Sequence, residues 1–183
     1  MSCSLVGSEM CIRDSIFLAP LNLAFTNREE KGKLMEPTDS SSPGASSLDE
    51  LPWKQVFDSY ACIMCTRCHE VCPAHHSGTP LSPSALEINK RYFINQNASG
   101  LANGSTKLEL LKDAISEDAV WSCTTCMACV EVCPVGNEPM QDILQIRRKL
   151  VFDAQMPDEL ADALRSLDAV SYTHLRAHET ARH

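Results

Sequence analysis

The chain has 183 residues, 44% of them hydrophobic and 5% aromatic, with a formal charge of −8. That is enough for one domain with a modest core plus tails, and 24 acidic against 16 basic residues with no Lys/Arg-rich run argue against a nucleic-acid partner. Ten cysteines would mean a disulfide framework in a secreted chain, but eight stand in two identical tight groups, which points to metal and to a compartment that keeps thiols reduced.

Taken from the N-terminus, residues 1–15 (MSCSLVGSEMCIRDS) have no sustained apolar period and resemble translated sequencing-adapter sequence, as do residues 169–183 (AVSYTHLRAHETARH). Both are expected to be artefactual tails outside the fold, and the protein proper, 16–168, a fragment of a longer chain. Cys3 and Cys11 fall in the first tail. His174 and His178 in the second imitate half of a zinc finger but have no C-x-x-C pair about a dozen residues upstream, so they are expected to be inert. Residues 16–25 (IFLAPLNLAF) are apolar but too short for a bilayer span of about 20 residues. They suit a core segment, an interfacial segment or the end of a membrane helix. Residues 27–47, rich in charge and then in Ser, Pro and Gly, read as a disordered linker.

From residue 51 the pattern is helical. Pro52 suits a first helical position, and Trp53, Val56, Phe57 and Tyr60 share a face. After a loop at 78–80, Ser82 caps a helix with Pro83 at its first position and Leu81, Ala85, Ile88 and Tyr92 on one side. Residues 97–104 (NASGLANG) break the chain. A short helix from Ser116 carries Val120 and Trp121. Another begins at Asn137, with Met140, Ile143, Leu144 and Leu150 as its stripe and Arg147, Arg148 and Lys149 late, where the helix dipole favours them. Pro157 opens a last helix with Leu160, Leu164 and Leu167 in line. No stretch alternates as a strand. The expected class is all-α, a small helical bundle interrupted by two cysteine loops.

Those loops carry the chemistry. Residues 62–73 read CIMCTRCHEVCP and residues 123–134 read CTTCMACVEVCP, the same C-x-x-C-x-x-C-x-x-x-C-P pattern offset by 61. Three cysteines at this spacing wrap one compact object. A 4Fe–4S cubane offers four irons, each wanting one thiolate, and in two-cluster ferredoxins the fourth cysteine serves the other cluster. The assignment that follows is Cys62, Cys65, Cys68 and Cys133 for one cluster and Cys123, Cys126, Cys129 and Cys72 for the second. The rival is a zinc-stabilised interaction module, two sites of four thiolates each, although zinc modules have little use for a third cysteine at the same spacing. No cysteine between 16 and 168 is left over as a nucleophile, so no catalytic residue is expected. His69, His75 and His76 read as ordinary loop histidines. Trp53 and Trp121 read as core or as cluster shields, and Ile63, Met64, Val71, Met127, Val130 and Val132 as the apolar shell. The basic run 147–149 reads as a helix-terminal charge cluster or a docking site for an acidic partner.

With these motifs in place, the chain resembles the α-helical ferredoxin domain found in fumarate reductase and succinate dehydrogenase iron–sulfur subunits. It resembles more closely the membrane-associated iron–sulfur oxidoreductases related to heterodisulfide reductase. The stretches WKQVFDSYACIMCTRCHEVCPAHHSGTPLSP, AVWSCTTCMACVEVCPVGNEPMQDILQIRRKLV and MPDELADALRSL carry that resemblance across most of 51–168, and APLNLAF is similar to the point where a cytochrome-b-like membrane domain ends. Because Cys126 is present, where the succinate dehydrogenase type lacks a cysteine, the resemblance implies two 4Fe–4S clusters. It also implies electron transfer, with partners among a flavoprotein donor, a cytochrome-b-like membrane domain and a CCG-type domain, and membrane association through upstream helices. The implied location is the cytoplasmic side of a prokaryotic cell membrane. The expected layout is tails at 1–15 and 169–183, a membrane-proximal remnant and linker at 16–50, and the dicluster domain at 51–168.

Overall fold

A computed structural model describes residues 5–26, 34 and 43–180, with side chains for 15–26, 34 and 43–170. Ten α-helices are described, α1 (Leu5–Phe25), α2 (Trp53–Ala61), α3 (Arg67–Glu70), α4 (Pro73–His76), α5 (Pro83–Gln96), α6 (Ala98–Ala102), α7 (Glu117–Ser122), α8 (Ala128–Glu131), α9 (Pro139–Phe152) and α10 (Asp158–Thr180), with a 3-10 turn at Leu48–Glu50 and a π-helical turn at Leu110–Ala114. The only β pairing among the described residues is an isolated bridge between Ser47 and Glu109. The chain is therefore all-α. Residues 1–149 and 150–183 are separate compact units. The linker expected at 27–47 lies mostly outside the described residues, as do the side chains of Cys3, Cys11, His174 and His178.

Local rules explain where the helices of the first unit start. The Ser82 hydroxyl accepts the Ala85 amide at 3.3 Å with Pro83 next in line, and the Ser116 hydroxyl accepts the Ala119 amide at 3.4 Å. Gly44 (φ +98°) lets residues 43–45 lie against α9, where a Cβ would collide with the Gln145 carbonyl and the Lys149 amide. Leu108 and Leu110 are fully buried, with the Leu110 amide on the Ser46 carbonyl at 3.0 Å.

Helix faces depart from the apolar periodicity. On α2 the buried residues are Gln55, Asp58, Ser59 and Ala61, while Trp53 is 62% exposed and stands edge-on to Phe25 and Phe57. On α5 the buried residues are Pro83, Ser84, Leu86, Glu87, Lys90 and Arg91 in place of the expected Ala85, Ile88 and Tyr92 face. On α9 Met140, Ile143, Ile146 and Leu150 are buried as a stripe, together with Gln141, Asp142 and Gln145. The reason is pairing. Lys90 Nζ bonds Asp142, the Gln55 carbonyl at 2.9 Å and Glu87 at 3.0 Å, and a buried charge persists only with such partners.

Helix α1 is inverted in the same way. Its Ile16, Phe17, Leu21, Leu23 and Phe25 are exposed, while Asn22 is fully buried and Ala19 and Ser15 nearly so. Asn22 Nδ2 donates among Asp58 Oδ1 (2.8 Å), Asn137 Oδ1 (2.9 Å) and the Val135 carbonyl (3.0 Å). Replacing Asn22 by leucine is expected to cost about 1–3 kcal/mol, the penalty of leaving buried acceptors unmet. A lowered urea midpoint and faster proteolysis within residues 15–26 are the readouts; an unchanged midpoint would mean that Asn22 does not secure α1. Among the described residues, no helix is long and apolar enough to cross a membrane.

In the second unit, Ala154 turns the chain with φ 55° and the Gln155 amide returns to the Leu150 carbonyl at 2.8 Å. Asp158 and Glu159 occupy the first turn of α10, where the dipole favours acids. Leu164 and Leu167 of the expected stripe are exposed.

Candidate metal centre

Each cysteine run is built the same way. A helix, α2 or α7, ends on the residue before the first cysteine. The chain then crosses two left-handed residues, Met64 and Thr66 in the first run and Thr125 and Met127 in the second, all with φ between 53° and 61°. None is glycine, and each such position costs on the order of 1–3 kcal/mol unless its surroundings hold it. The four-residue helices α3 and α8 follow. The bends turn amides toward sulfur: Thr125 N–H lies 3.4 Å from Cys123 Sγ, and the Met64 amide bonds Cys62 in the equivalent place.

All eight predicted cysteines are free thiols. Cys62, Cys65, Cys68, Cys129 and Cys133 line one cavity together with Glu87, Ser84 and Asn137. Burial pushes the Cys68 thiol up to about 12, with Cys62, Cys133 and Cys65 pushing further. Burial likewise raises Cys129 to about 12, and its neighbours are Cys123, Cys68, Cys126 and Cys72. Cys62 is raised by burial to about 11, against the Met64 amide. Cys123 is raised by burial too, with the Thr125 amide and Arg147 opposing and Cys72 and Cys126 adding. Thus Cys72 lies among the thiols of the second run and Cys133 among those of the first. The two groups adjoin at Cys68 and Cys129, where α3 packs on α8.

The fourth cysteine of the second run is held by a polar hub that apolar periodicity does not reveal. Asp58, fully buried, accepts the Glu138 amide at 3.0 Å and Lys54 Nζ at 2.5 Å, and its carbonyl accepts Asn137 Nδ2 at 2.8 Å. The Asn137 amide in turn points to Cys133 Sγ at 3.3 Å. Burial raises the Cys133 thiol, the Asn137 and Val135 amides oppose, and Asp58 adds to the rise. Glu87 stands well above the usual carboxylate range because it is buried. Lys90 is pulled down by burial but carried above ordinary lysine by Asp142 and Glu87.

Other expectations fare unevenly. Ile63 lines the cavity yet is 44% exposed, and Val71 is exposed, so the apolar shell is open on that side. Trp53 is not among the cavity's lining residues. The histidines lie on the short helices α3 and α4 instead of in a loop: His69 faces Ser82 at 2.8 Å with its ring tilted against that of His75, and His76 reaches the Glu70 carbonyl. Arg147 turns inward, donating to the carbonyls of Val120, Trp121 and Cys123.

The donor set fits two cubanes: eight soft thiols gather around bends whose amides face sulfur, enough for one thiolate to each iron. Among the described residues no three Cys, His, Asp or Glu side chains converge on a point that a single ion would occupy. A family model described as 4Fe-4S dicluster domain matches residues 54–134, a stretch holding all eight cysteines. The chain is 29% identical over 192 residues to the probable iron-sulfur-binding oxidoreductase FadF of Bacillus subtilis, covering 85% of this chain and 27% of that one. It is 29% identical over 179 residues to the EtfAB:quinone oxidoreductase of Syntrophomonas wolfei, with 84% and 25% covered. It is also 30% identical over 96 residues to one subunit of the ferredoxin:CoB-CoM heterodisulfide reductase of Methanosarcina mazei, with 52% and 48% covered. The chain spans about a quarter of the length of the first two relatives. No solved structure matches it significantly. Its cofactors are two 4Fe–4S clusters and its role is electron transfer; the zinc alternative is set aside by the family match.

Proposed function

We propose that this chain is the dicluster module of a larger iron–sulfur oxidoreductase. It relays single electrons between a flavoprotein or soluble donor and a quinone or haem chain at the cytoplasmic side of the cell membrane. The similarity to an enzyme named EtfAB:quinone oxidoreductase supports that pairing of donor and acceptor, and the similarity to a heterodisulfide reductase subunit supports a setting with further redox partners, among which this reading places a CCG-type domain. A cytochrome-b-like membrane domain upstream of residue 16 and a dicluster domain over 51–168 belong to the same reading.

Within the module, Cys62, Cys65, Cys68 and Cys133 hold one cluster, and Cys123, Cys126, Cys129 and Cys72 hold the other. The observation that carries this is the crossed neighbourhood of the fourth cysteines, Cys133 beside the first run and Cys72 beside the second. A 4Fe–4S cluster supplies a centre that takes up and returns one electron. The chain's own part is to hold eight thiolates and to direct the amides of Met64, Thr125 and Asn137 at sulfur. Crossed ligation makes each cluster a bridge between the two runs.

The test is an iron and acid-labile sulfide count on the chain reconstituted without oxygen. About eight of each per chain is expected for two cubanes, with visible absorption that bleaches on reduction. Cys133→Ser should lower iron by about half. Adding Cys65→Ser to it should remove little more, whereas adding Cys126→Ser should remove the rest. The opposite order would refute the crossed assignment.

A further inference from the structure

The duplication extends past the cysteines. Helices α5 and α9 follow their respective runs; each has 14 residues and begins with proline, and Arg91 and Arg147 hold the same position in them. Each arginine reaches back to the helix that precedes its own run. Arg91 Nη2 donates to the Tyr60 carbonyl at the end of α2, and its guanidinium lies 5.8 Å from the Tyr60 ring centre. Arg147 Nε and Nη2 donate to the Val120 carbonyl at 2.9 and 2.6 Å. Its Nη2 also reaches the Trp121 and Cys123 carbonyls at 3.0 and 2.5 Å, and its guanidinium lies 5.6 Å from the Trp121 ring centre. Tyr60 and Trp121 stand two residues before Cys62 and Cys123. The same ring–guanidinium clamp is built twice, once beside the first ligand of each run.

Satisfying helix-end carbonyls does not by itself require this. Glycine, lysine or water cap such ends without burying a guanidinium. Arg91 is fully buried, and its Nε and Nη1 have no hydrogen-bond partner among the described residues. A buried cation so placed needs an anion nearby. A cubane held by four thiolates is an anion, and an added electron makes it more so, which a fixed positive charge favours. We propose that Arg91 and Arg147 are a matched pair of positioning residues, one for each cluster, that hold the first cysteine of each run and make the cluster bound there easier to reduce.

The inference rests on the chain binding two clusters, and it is independent of how the fourth thiols are shared, because Cys62 and Cys123 stay with their own runs either way. A Cys133→Ser result against crossed ligation would leave it standing.

The test uses the full chain with both clusters and follows each midpoint potential by EPR-monitored redox titration. Arg147→Gln should lower one potential and Arg91→Gln the other. In each case the reduced-to-oxidised ratio of the affected cluster at fixed solution potential should fall about tenfold, equivalent to about 59 mV for a one-electron couple. Arg147→Lys and Arg91→Lys, which keep the charge and lose the fork, should recover most of that shift. Unchanged potentials in Gln variants with full iron content would overturn the proposal. So would equal shifts in Lys and Gln variants, or the same wave moving in both. Should Arg91→Gln fail to load its cluster, the Arg147 pair decides alone, since that side chain is only part-buried.

Discussion

Stripping iron and sulfide from this chain should abolish its cooperative unfolding transition. The segments that carry the cysteines are short and strained. Helices α3 and α8 are four residues each, far below the length at which a helix stands alone. Four non-glycine residues in these loops take left-handed backbone, each at about 1–3 kcal/mol. Thiols that burial pushes to about 11 or 12 stay protonated without metal, so loading the clusters releases protons and the bonds formed add directly to folding. For comparison, structural zinc contributes about 10–16 kcal/mol in small domains, against a total stability of about 5–15 kcal/mol for a typical one. The measurement is thermal unfolding by circular dichroism of the loaded and stripped chain, paired with hydrogen exchange. Amides of α3 and α8 that stay protected after stripping would show that the protein scaffold holds the loops unaided.

Replacing Lys90 by methionine should destabilise the protein by about 3–5 kcal/mol, the cost of breaking a buried ion pair from one side. The ammonium is fully enclosed between Asp142, Glu87 and the Gln55 carbonyl. Without it, Asp142, raised by burial yet lowered by Lys90, loses its counter-charge beside another carboxyl. The network joins α2, α5 and α9, and its Glu87 lines the cysteine cavity, so loosening it also loosens a wall of the site. The triple variant Lys90→Met, Glu87→Gln, Asp142→Asn should recover much of the loss, because removing all the charges also removes their desolvation cost. Urea midpoints at constant slope report both effects. A single variant costing less than about 1 kcal/mol, the range of surface pairs, would show that the ion network does not organise this core.

The cysteine spacing, its duplication and the proline after each fourth cysteine were legible without coordinates, and so were the cluster type and the all-helical class. These features are local. Three thiols within seven residues wrap one object whatever surrounds them, and the Ser82 and Ser116 caps act within three residues of themselves.

What the chain turns inward was not legible. Apolar spacing chose Trp53 and Ile88 for the core, whereas the structure encloses Asp58, Glu87, Lys90 and Arg91. It also turns Asn22 inward and its apolar neighbours outward. The partners that make this favourable lie far along the chain: Asp58 is 36 residues from Asn22, Asp142 is 52 from Lys90, and Asn137 is 115 from Asn22. A helical period registers side chains a few residues apart. A buried charge is stabilised by a group that only the folded chain brings beside it, so that choice belonged to the tertiary structure.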